Sequence, residues 1–339
     1  MPDLQKRIDS FCQLGKRMEN FLQPDDYYLC EQSNPWFTKE NVDYALKSIS
    51  ALLERKNLEK WLSKYPLAKK NANPLKIGVV TAGNLPLVGF HDFLCVLISG
   101  NAFHAKLSSK DDFLFKKIIN ALIEINPLWT DYIDLSENML KDKDAYIATG
   151  SNNSAGYFEY YFRNVPSIIR RNRNSVAVLT GNETESELMG LADDMFLFFG
   201  LGCRSVSKIY LPNGYNFEPL INAISKYSYI QNHYKYCNNY DYYKSIFLVN
   251  RLEFLDTEFC LLKESVELAS PVSVVYYEYY QQITNLVGNL NNLSDKLQCV
   301  VGKEVEGLKT IKPGKAQQPE IDDYADGIDT LAFLTELKS

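Results

Sequence analysis

The chain is poor in the residues that build histidine-based or metal-based active sites. It has three histidines among 339 residues, and none is spaced as a catalytic base would be. Its seven cysteines are widely separated, and no two form a CxxC pair. They are Cys12, Cys30, Cys95, Cys203, Cys237, Cys260 and Cys299. An odd number of dispersed thiols argues against a disulfide framework or a zinc knuckle and is typical of a reducing compartment. We therefore expect a cytoplasmic protein with no metal site.

Long apolar runs and an excess of basic charge are also missing. The longest apolar stretch, residues 77–99, is interrupted by Asn84, Pro86, His91 and Asp92, so it is not expected to span a membrane. The start of the chain, MPDLQKRIDSFCQLGKRM, is amphipathic and lacks the apolar core of a signal peptide. The formal net charge is −6 with both signs interspersed, which argues against nucleic acid as a partner.

What the sequence does contain is an alternation of strand-like and helix-like segments. The first series of strands is LKIGVVTAG, AFHAKLS and DAYIAT, with a fourth inside SIIRRNRNSVAVLTG. The second series is KIYLP, KSIFLV and VSVVYYEYY. Strands separated by helices of about a dozen residues predict βαβ units and parallel sheets. No strand is followed by G-x-G-x-x-G, so periodicity alone leaves the ligand open.

These patterns divide the chain into four parts. Residues 1–70 are predicted to be a helical N-terminal segment packed on the first domain. A nucleotide-binding α/β domain is predicted over residues 71–181 and a catalytic α/β domain over residues 182–310. Residues 311–339 form a C-terminal segment, and its return to the first domain is left open.

One cysteine lies in a turn where a thiol can react. The stretch FFGLGCRSVSKIYLP, residues 198–212, places Cys203 between Gly202 and Arg204, after a helix-like run and before a strand-like run. Backbone N–H groups and a guanidinium both favour the thiolate, which is the nucleophilic form. The alternative is a small buried hydrophobic residue, a common role of intracellular cysteine. The local sequence leaves both readings open.

Several stretches, in collinear order, resemble motifs of the aldehyde dehydrogenase superfamily. They are TAGNLPLVGFHDFL, GNAFHAKLSSKDDF, ATGSNNSAG, LFFGLGCRSVSKIYL and ELASPVSVVYY. The C-terminal PGKAQQPEIDDYADGIDTLAFL is typical of one branch, so the chain more closely resembles the acyl-CoA reductase (LuxC) family. The resemblance covers residues 70–339. It implies two doubly wound α/β domains with a cleft between them and a helical N-terminal segment.

The resemblance implies two catalytic residues. Cys203 would be the acyl-accepting nucleophile. Asn84 would donate its side-chain amide to the developing oxyanion, together with the backbone N–H of Cys203. An alternative role for Asn84 is the N-cap of a helix that starts near Pro86.

It also implies a nicotinamide site. Lys106 would contact the adenosine ribose, with Ser108 and Ser109 beside it, and Gly150 and Ser151 would approach the cofactor at a helix N-terminus. Ser109 stands where many NAD-preferring relatives carry a glutamate, and Lys110 follows it. Serine and lysine accept a 2′-phosphate that a carboxylate would repel, which favours NADPH, with NADH as the alternative. The alternatives are a solvated strand-end lysine and an ordinary N-capping serine.

Glu267, four residues before Pro271, would hold the nicotinamide ribose. Two departures from the superfamily pattern matter. Ala269 and Ser270 replace the phenylalanine and glycine of F-G-P. The E-L-G-G-K segment, which supplies a base for hydrolysis, is replaced by SVAVLTGNETE. Because thiol exchange needs less help than hydrolysis, the missing base favours a thioester reductase over an aldehyde oxidase.

The predicted function is therefore the NAD(P)H-dependent reduction of a long-chain fatty acyl thioester to the aldehyde through an acyl-cysteine. The donor would be a fatty acyl-CoA or an acyl-protein, and a homo-oligomer or a complex with an acyl-protein synthetase is possible. Two alternatives stay open. One is a cofactor-free acyl transferase or acyl-carrying subunit, and the other is a non-catalytic binding protein with the same fold.

Overall fold

The computed structural model describes residues 1–67 and 73–337. The chain forms two compact units. The first unit is Met1–Asn172 with Glu320–Ser339, and the second is Arg173–Pro319. The predicted boundary between residues 70 and 71 lies outside the described residues.

The first unit begins with four helices. They are α1 (Leu4–Arg17), α2 (Pro24–Ser33), α3 (Lys39–Leu52) and α4 (Arg55–Leu62). Short polar side chains start two of them: Asp3 accepts from the Lys6 backbone N–H at 2.9 Å, and Thr38 caps α3. The stretch from Val42 to Leu62 has the pattern of one amphipathic helix, but it is divided between α3 and α4.

The first sheet has five parallel strands. They are β1 (Lys76–Val80), β2 (Ala102–Lys106), β3 (Ile133–Leu135), β4 (Ala145–Thr149) and β5 (Ser167–Arg170). Their order is β3-β2-β1-β4-β5, so the direction of succession reverses between β1 and β4. The helices of this part are α5 (Phe90–Ser99), α6 (Asp112–Ile125) and α7 (Asn152–Phe162). The carboxyl ends of β1 and β4 therefore form the switch point at which such sheets bind ligands.

Aromatic packing holds α5 in the core of the first unit. Phe93 is fully buried, and its ring lies 4.9 Å from that of Phe103 on β2 and 5.6 Å from that of Phe115 on α6. Phe11 of α1 contacts the same ring at 6.0 Å. The helical N-terminal segment thus shares one hydrophobic core with the sheet.

The second unit has a six-stranded sheet in the order β11-β6-β7-β10-β9-β8. Its strands are β6 (Asn174–Val178), β7 (Val206–Pro212), β8 (Leu255–Asp256), β9 (Leu261–Glu264), β10 (Val274–Tyr280) and β11 (Leu297–Gly302). Its α-helices are α8 (Glu185–Phe196), α9 (Glu218–Ile224), α10 (Tyr234–Val249) and α11 (Ile283–Asn292). Only the pairing of β8 with β9 is antiparallel among the described strand pairs.

Two sequence predictions about strands were wrong in detail. SIIRRNRNSVAVLTG contains two strands, β5 and β6, which belong to different sheets. The chain therefore divides after Asn172, whereas the sequence pattern placed the division after residue 181. KSIFLV is not a strand but the end of α10, because the buried Tyr236, Tyr240 and Phe247 recur at helical spacing.

The C-terminal residues of the first unit end in α12 (Thr330–Glu336). Tyr324 accepts a hydrogen bond from Trp61 Nε1 at 2.8 Å. Arg170 Nη2 donates to Thr330 Oγ1 at 2.8 Å, and the same guanidinium forms a buried ion pair with Asp92 of α5. These contacts tie the segment to the first sheet. In the part of the chain that the structure describes, no helix has the length and apolar character needed to cross a membrane.

Candidate active site

Cys203 lies in a hydrogen-bonded turn at the amino end of β7. Ser205 N–H donates to Gly202 O at 2.9 Å, and Gly202 N–H donates to Ser205 Oγ at 3.2 Å. From the neighbouring strand β6, Ser175 Oγ donates to Cys203 O at 2.8 Å. The backbone of the turn is thus held on two sides while Cys203 itself is exposed. The alternative interpretation of Cys203 as a small buried hydrophobic residue was wrong.

The backbone N–H of Cys203 donates to no other group among the described residues. A backbone N–H without an acceptor in the described part of the chain, on an exposed cysteine, can stabilise a negatively charged oxygen when the thiol adds to a carbonyl. Among the seven cysteines, Cys203 alone is exposed; Cys237 is half-buried and the other five are buried. The structure therefore separates Cys203 from the other thiols by accessibility.

The chain enters this turn through a strained backbone. Phe198 and Phe199 have positive φ angles of 54° and 58°, in the left-handed region that side chains with a Cβ rarely adopt. Such residues cost on the order of 1–3 kcal/mol each and persist where the surrounding packing holds them. Both rings are buried, and that of Phe199 lies 4.5 Å from the ring of His233. Packing therefore fixes the reversal between α8 and the Cys203 turn.

Glu267 lies in the loop between β9 and β10. Its side chain is exposed. The residues on either side of it are tied to the start of β7: Val266 O accepts from Lys208 Nζ at 2.9 Å, and Leu268 O accepts from Ser207 Oγ at 2.9 Å. The structure thus holds the Glu267 loop against the strand that follows the Cys203 turn.

Asn84 follows β1, and its side chain is exposed. Helix α5 starts at Phe90 with Gly89 as its N-cap, so the interpretation of Asn84 as the helix N-cap was wrong. The loop that carries Asn84 is fixed by two buried side chains. Asn34 Nδ2 donates to Gly83 O at 2.9 Å, and Asp111 Oδ2 accepts from Leu87 N–H at 2.8 Å.

Lys106 is the last residue of β2, and Ser108 and Ser109 follow it at the same edge of the sheet. Lys106 and Ser109 are exposed, while Ser108 is half-buried and its N–H donates to Thr81 Oγ1 at 3.1 Å. Lys110 is exposed as well. Lys106 and Lys110 are the exposed ionisable residues between positions 106 and 110, and both are cations. Their positive charge suits a phosphate group.

The nearest acid after β2, Asp111, is buried. Asp111 is 3% exposed, and burial raises the pKa of its carboxyl well above the usual range. One carboxyl oxygen, Oδ1, has no hydrogen-bond partner among the described residues. Burial therefore disfavours the charged form of the Asp111 carboxyl.

Gly150 and Ser151 follow β4, on the other side of β1. Gly150 N–H donates to Arg170 O at 3.4 Å. Ser151 is the N-cap of α7, and its Oγ accepts from Ser154 N–H at 3.3 Å. The capping role anticipated as an alternative for Ser151 is thus present. The structure brings Asn84, the residues after β2 and the residues after β4 to one edge of the first sheet, while Cys203 and Glu267 belong to the second unit.

Several supporting residues had no signal in the sequence. Ser175, Asp111 and Asn34 act on backbone groups that are 24 to 49 residues away along the chain. Lys208 is fully buried in β7, where it pairs with Glu278 at 2.5 Å. The described residues contain no cluster of three or more His, Cys, Asp or Glu side chains that could hold a metal ion.

The two sheets, parallel except for the pairing of β8 with β9, define a protein of the aldehyde dehydrogenase-like α/β fold. Aldehyde dehydrogenase 21 from Physcomitrella patens, solved with its product succinate, matches 99% of this chain and 84% of its own with a TM-score of 0.71 at 11% identity. An aldehyde dehydrogenase of Mycobacterium tuberculosis complexed with NAD+ covers 86% of this chain and 71% of its own, with a TM-score of 0.61 at 11% identity. At such identities the likeness establishes the fold.

The sequence identifies the family within that fold. The model of the acyl-CoA reductase (LuxC) family matches residues 16–221, and the chain belongs to this family. A long-chain acyl-protein thioester reductase from Aliivibrio fischeri is 25% identical over 201 residues, which are 55% of this chain and 40% of that protein. The chain thus spans less than half the length of this curated relative.

Proposed function

We propose that the chain reduces a fatty acyl thioester to the aldehyde through an acyl-cysteine formed on Cys203. The observation that carries the proposal is the exposed Cys203 in a hydrogen-bonded turn, in a chain that belongs to the acyl-CoA reductase family. A thiolate attacks a thioester carbonyl, the donor thiol leaves, and the acyl group remains on the protein as a new thioester. This exchange conserves the energy of the thioester bond, so it requires no activating group.

The transition state places negative charge on the carbonyl oxygen. The backbone N–H of Cys203 is available to donate to it, and we propose the Asn84 amide as the second donor. Well-oriented donors of this kind contribute about 3–4 kcal/mol each to catalysis. Asn34 and Asp111 support the proposal for Asn84 because they restrict the loop that carries it.

The reductant that fits the first unit is NADPH, with NADH as the alternative. The residues proposed to hold it are Lys106, Ser108 and Ser109 after β2, and Gly150 and Ser151 after β4. Two features support the fit: these residues flank the switch point of the sheet, and the exposed charges after β2 are cationic. When bound, the nicotinamide would supply the hydride for reduction. We propose that Glu267 of the second unit holds its ribose.

The segment that replaces E-L-G-G-K contains Glu183, and this carboxylate is bonded within its own loop. Glu183 accepts hydrogen bonds from Thr180 N–H at 2.7 Å, from Thr180 Oγ1 at 2.8 Å and from Gly181 N–H at 3.0 Å. This carboxylate is therefore engaged in its own loop. Its engagement favours thiol exchange and reduction over hydrolysis of an acyl-cysteine.

The acyl donor would be an acyl-CoA or an acyl group carried by another protein. We propose a cytoplasmic setting, supported by seven cysteines of which none forms a disulfide. A homo-oligomer or a complex with an acyl-protein synthetase is proposed on the family relationship. Size-exclusion chromatography coupled to light scattering, alone and with a synthetase, tests this part directly.

The test of the reaction is an NADPH oxidation assay over a panel of acyl-CoAs, with an NADH arm. Mass spectrometry of the protein mixed with acyl-CoA, without reductant, should show one acyl adduct on Cys203. Cys203→Ala should abolish both signals, while Cys237→Ala, at the half-buried thiol, should leave them unchanged. An adduct on another cysteine, or NADPH oxidation that survives in Cys203→Ala, would contradict the proposal. An acyl adduct without an NADPH-dependent thermal shift would indicate a transferase instead.

A further inference from the structure

The segment PGKAQQ, residues 313–318, has no role in the reaction as proposed, yet it is seated closely on helix α8. A Cβ built on Gly190 of α8 would lie 2.8 Å from the carbonyl carbon of Pro313 and 2.9 Å from the backbone nitrogen of Gly314. Such distances are shorter than real side chains show, so only glycine permits this contact. Gly314 itself has a φ of +82°, which also favours glycine.

A buried carboxylate holds the segment in place. Asp194 of α8 is 1% exposed, and it accepts from Gly314 N–H at 2.6 Å and from Ala316 N–H at 2.9 Å, one bond to each oxygen. A buried aspartate is rarely found without hydrogen-bond donors of this kind. The two bonds fix the direction in which the next residues of the segment leave α8.

Those next residues reach the turn that carries Cys203. Gln317 Nε2 donates to Ser205 Oγ at 3.2 Å, and both side chains are buried. Ser205 Oγ also accepts from Gly202 N–H, the bond that closes the turn. A second contact lies beside it, where Arg204 Nη1 donates to Ala316 O at 3.4 Å. The position of Gln317 therefore affects Ser205 Oγ and, through this atom, the hydrogen bond that closes the turn.

We propose that Asp194 and Gln317 are positioning residues, which hold the turn from Gly202 to Ser205 so that the Cys203 N–H and thiol keep a fixed relative geometry. The inference rests on the proposed function of Cys203. Ser175 holds the turn from the opposite side through Cys203 O, so the backbone is braced twice while the thiol stays exposed. A donor fixed before the reaction does not have to reorganise as charge develops on the substrate oxygen.

The test compares two variants with matched controls. Gln317→Leu removes the donor to Ser205 at similar volume, and Asp194→Asn replaces one of the two acceptor oxygens with a donor. The control Gln318→Leu makes the same change at the exposed neighbouring glutamine. The control Asp193→Asn alters the adjacent aspartate, which contacts Lys226 and Tyr227 instead of the segment.

Two quantities are measured on each full-length variant. Hydrogen–deuterium exchange of the peptide that contains the Cys203 turn should rise about tenfold in Gln317→Leu and Asp194→Asn, as expected when one hydrogen bond to a buried group is removed. The kcat for NADPH oxidation should fall at least about fivefold with KM for acyl-CoA unchanged, because the lost geometry matters in the transition state. Both controls should behave like the parent chain.

The outcomes separate this inference from the proposed function. If exchange in the turn does not change in Gln317→Leu, or if it rises while kcat is unchanged, the positioning role is wrong. If the parent chain forms no acyl adduct, the proposed function fails, whatever the exchange data show. Should Asp194→Asn unfold, seen as labelling of the buried cysteines, Gln317→Leu decides alone, because its neutral side chain leaves the carboxylate in place.

Discussion

Adding one methyl group at Gly83 tests how closely the loops at the edge of the first sheet approach each other. A Cβ built on Gly83 lies 2.7 Å from Ser108 Cβ and 3.1 Å from Lys110 Cβ. Ordinary contacts between such carbons are about 3.5–4 Å. In Gly83→Ala the loop after β1 and the loop after β2 must therefore separate by roughly 1 Å. Overpacking of this kind costs about 1–3 kcal/mol.

Urea unfolding followed by tryptophan fluorescence measures this cost, because all three tryptophans, Trp36, Trp61 and Trp129, lie in the first unit. Gly156→Ala is the matched control: nothing lies within 4 Å of its added Cβ, and an alanine inside α7 should stabilise by about 0.5–1 kcal/mol. If the loss arises from the Ser108 contact, Ser108→Gly should recover most of it in the double variant.

Under the proposed function, the same displacement should weaken NADPH binding about tenfold or more, measured by titration calorimetry. The cost in stability follows from geometry and does not depend on that proposal. An unfolding midpoint for Gly83→Ala equal to that of the parent chain would refute the steric reasoning. A loss that persists fully with Ser108→Gly would assign the strain elsewhere.

Three further perturbations have expected magnitudes. Arg170→Met leaves Asp92 buried without its cation and should lower the free energy of unfolding by about 3–5 kcal/mol, while the double variant with Asp92→Leu should recover most of it. Tyr324→Phe removes the acceptor for the buried Trp61 N–H, should cost about 1–3 kcal/mol and should speed proteolysis of the C-terminal segment. Burial raises the pKa of Asp194 to about 7 from 3.8, so its contribution to stability is present below pH 4 and is lost as pH rises towards 7. This loss is worth about 4 kcal/mol of unfolding free energy and should be absent in Asp194→Asn. Unfolding followed by circular dichroism between pH 4 and 8 measures it for both chains. Parallel stability profiles for the two chains would contradict the prediction.

Local patterns were sufficient for most elements and for the turn that carries Cys203. Strands such as β1 and β4 are short apolar runs of the kind found in buried parallel sheets, and the small residues around Cys203 signalled a turn. KSIFLV was misread because its run of four apolar residues, from Ile246 to Val249, fits either a strand or a buried helix. The tyrosines that reveal the helical period of α10 lie upstream of that stretch.

The supporting residues of the site could not be read from the sequence in the same way. Asp194 is one of two adjacent aspartates in α8, and nothing local distinguishes the one that accepts from the chain 120 residues later from the one that pairs with Lys226. Asparagine is a common N-cap residue, and only the observed start of α5 at Phe90 excludes that role for Asn84. Contacts of this kind depend on what packs opposite a residue.

By itself, then, the sequence determined the class of fold, the existence of two α/β parts and the turn around Cys203, because each of these is encoded in short local patterns. The tertiary structure alone decided that β6 joins the second sheet, that β1 and β4 form the reversal point of the first, and that Ser175, Asp194 and Gln317 surround the turn of Cys203. The physical reason is range. Backbone propensity and hydrophobic period act between near neighbours, whereas strand order and buried hydrogen bonds join residues far apart in the chain.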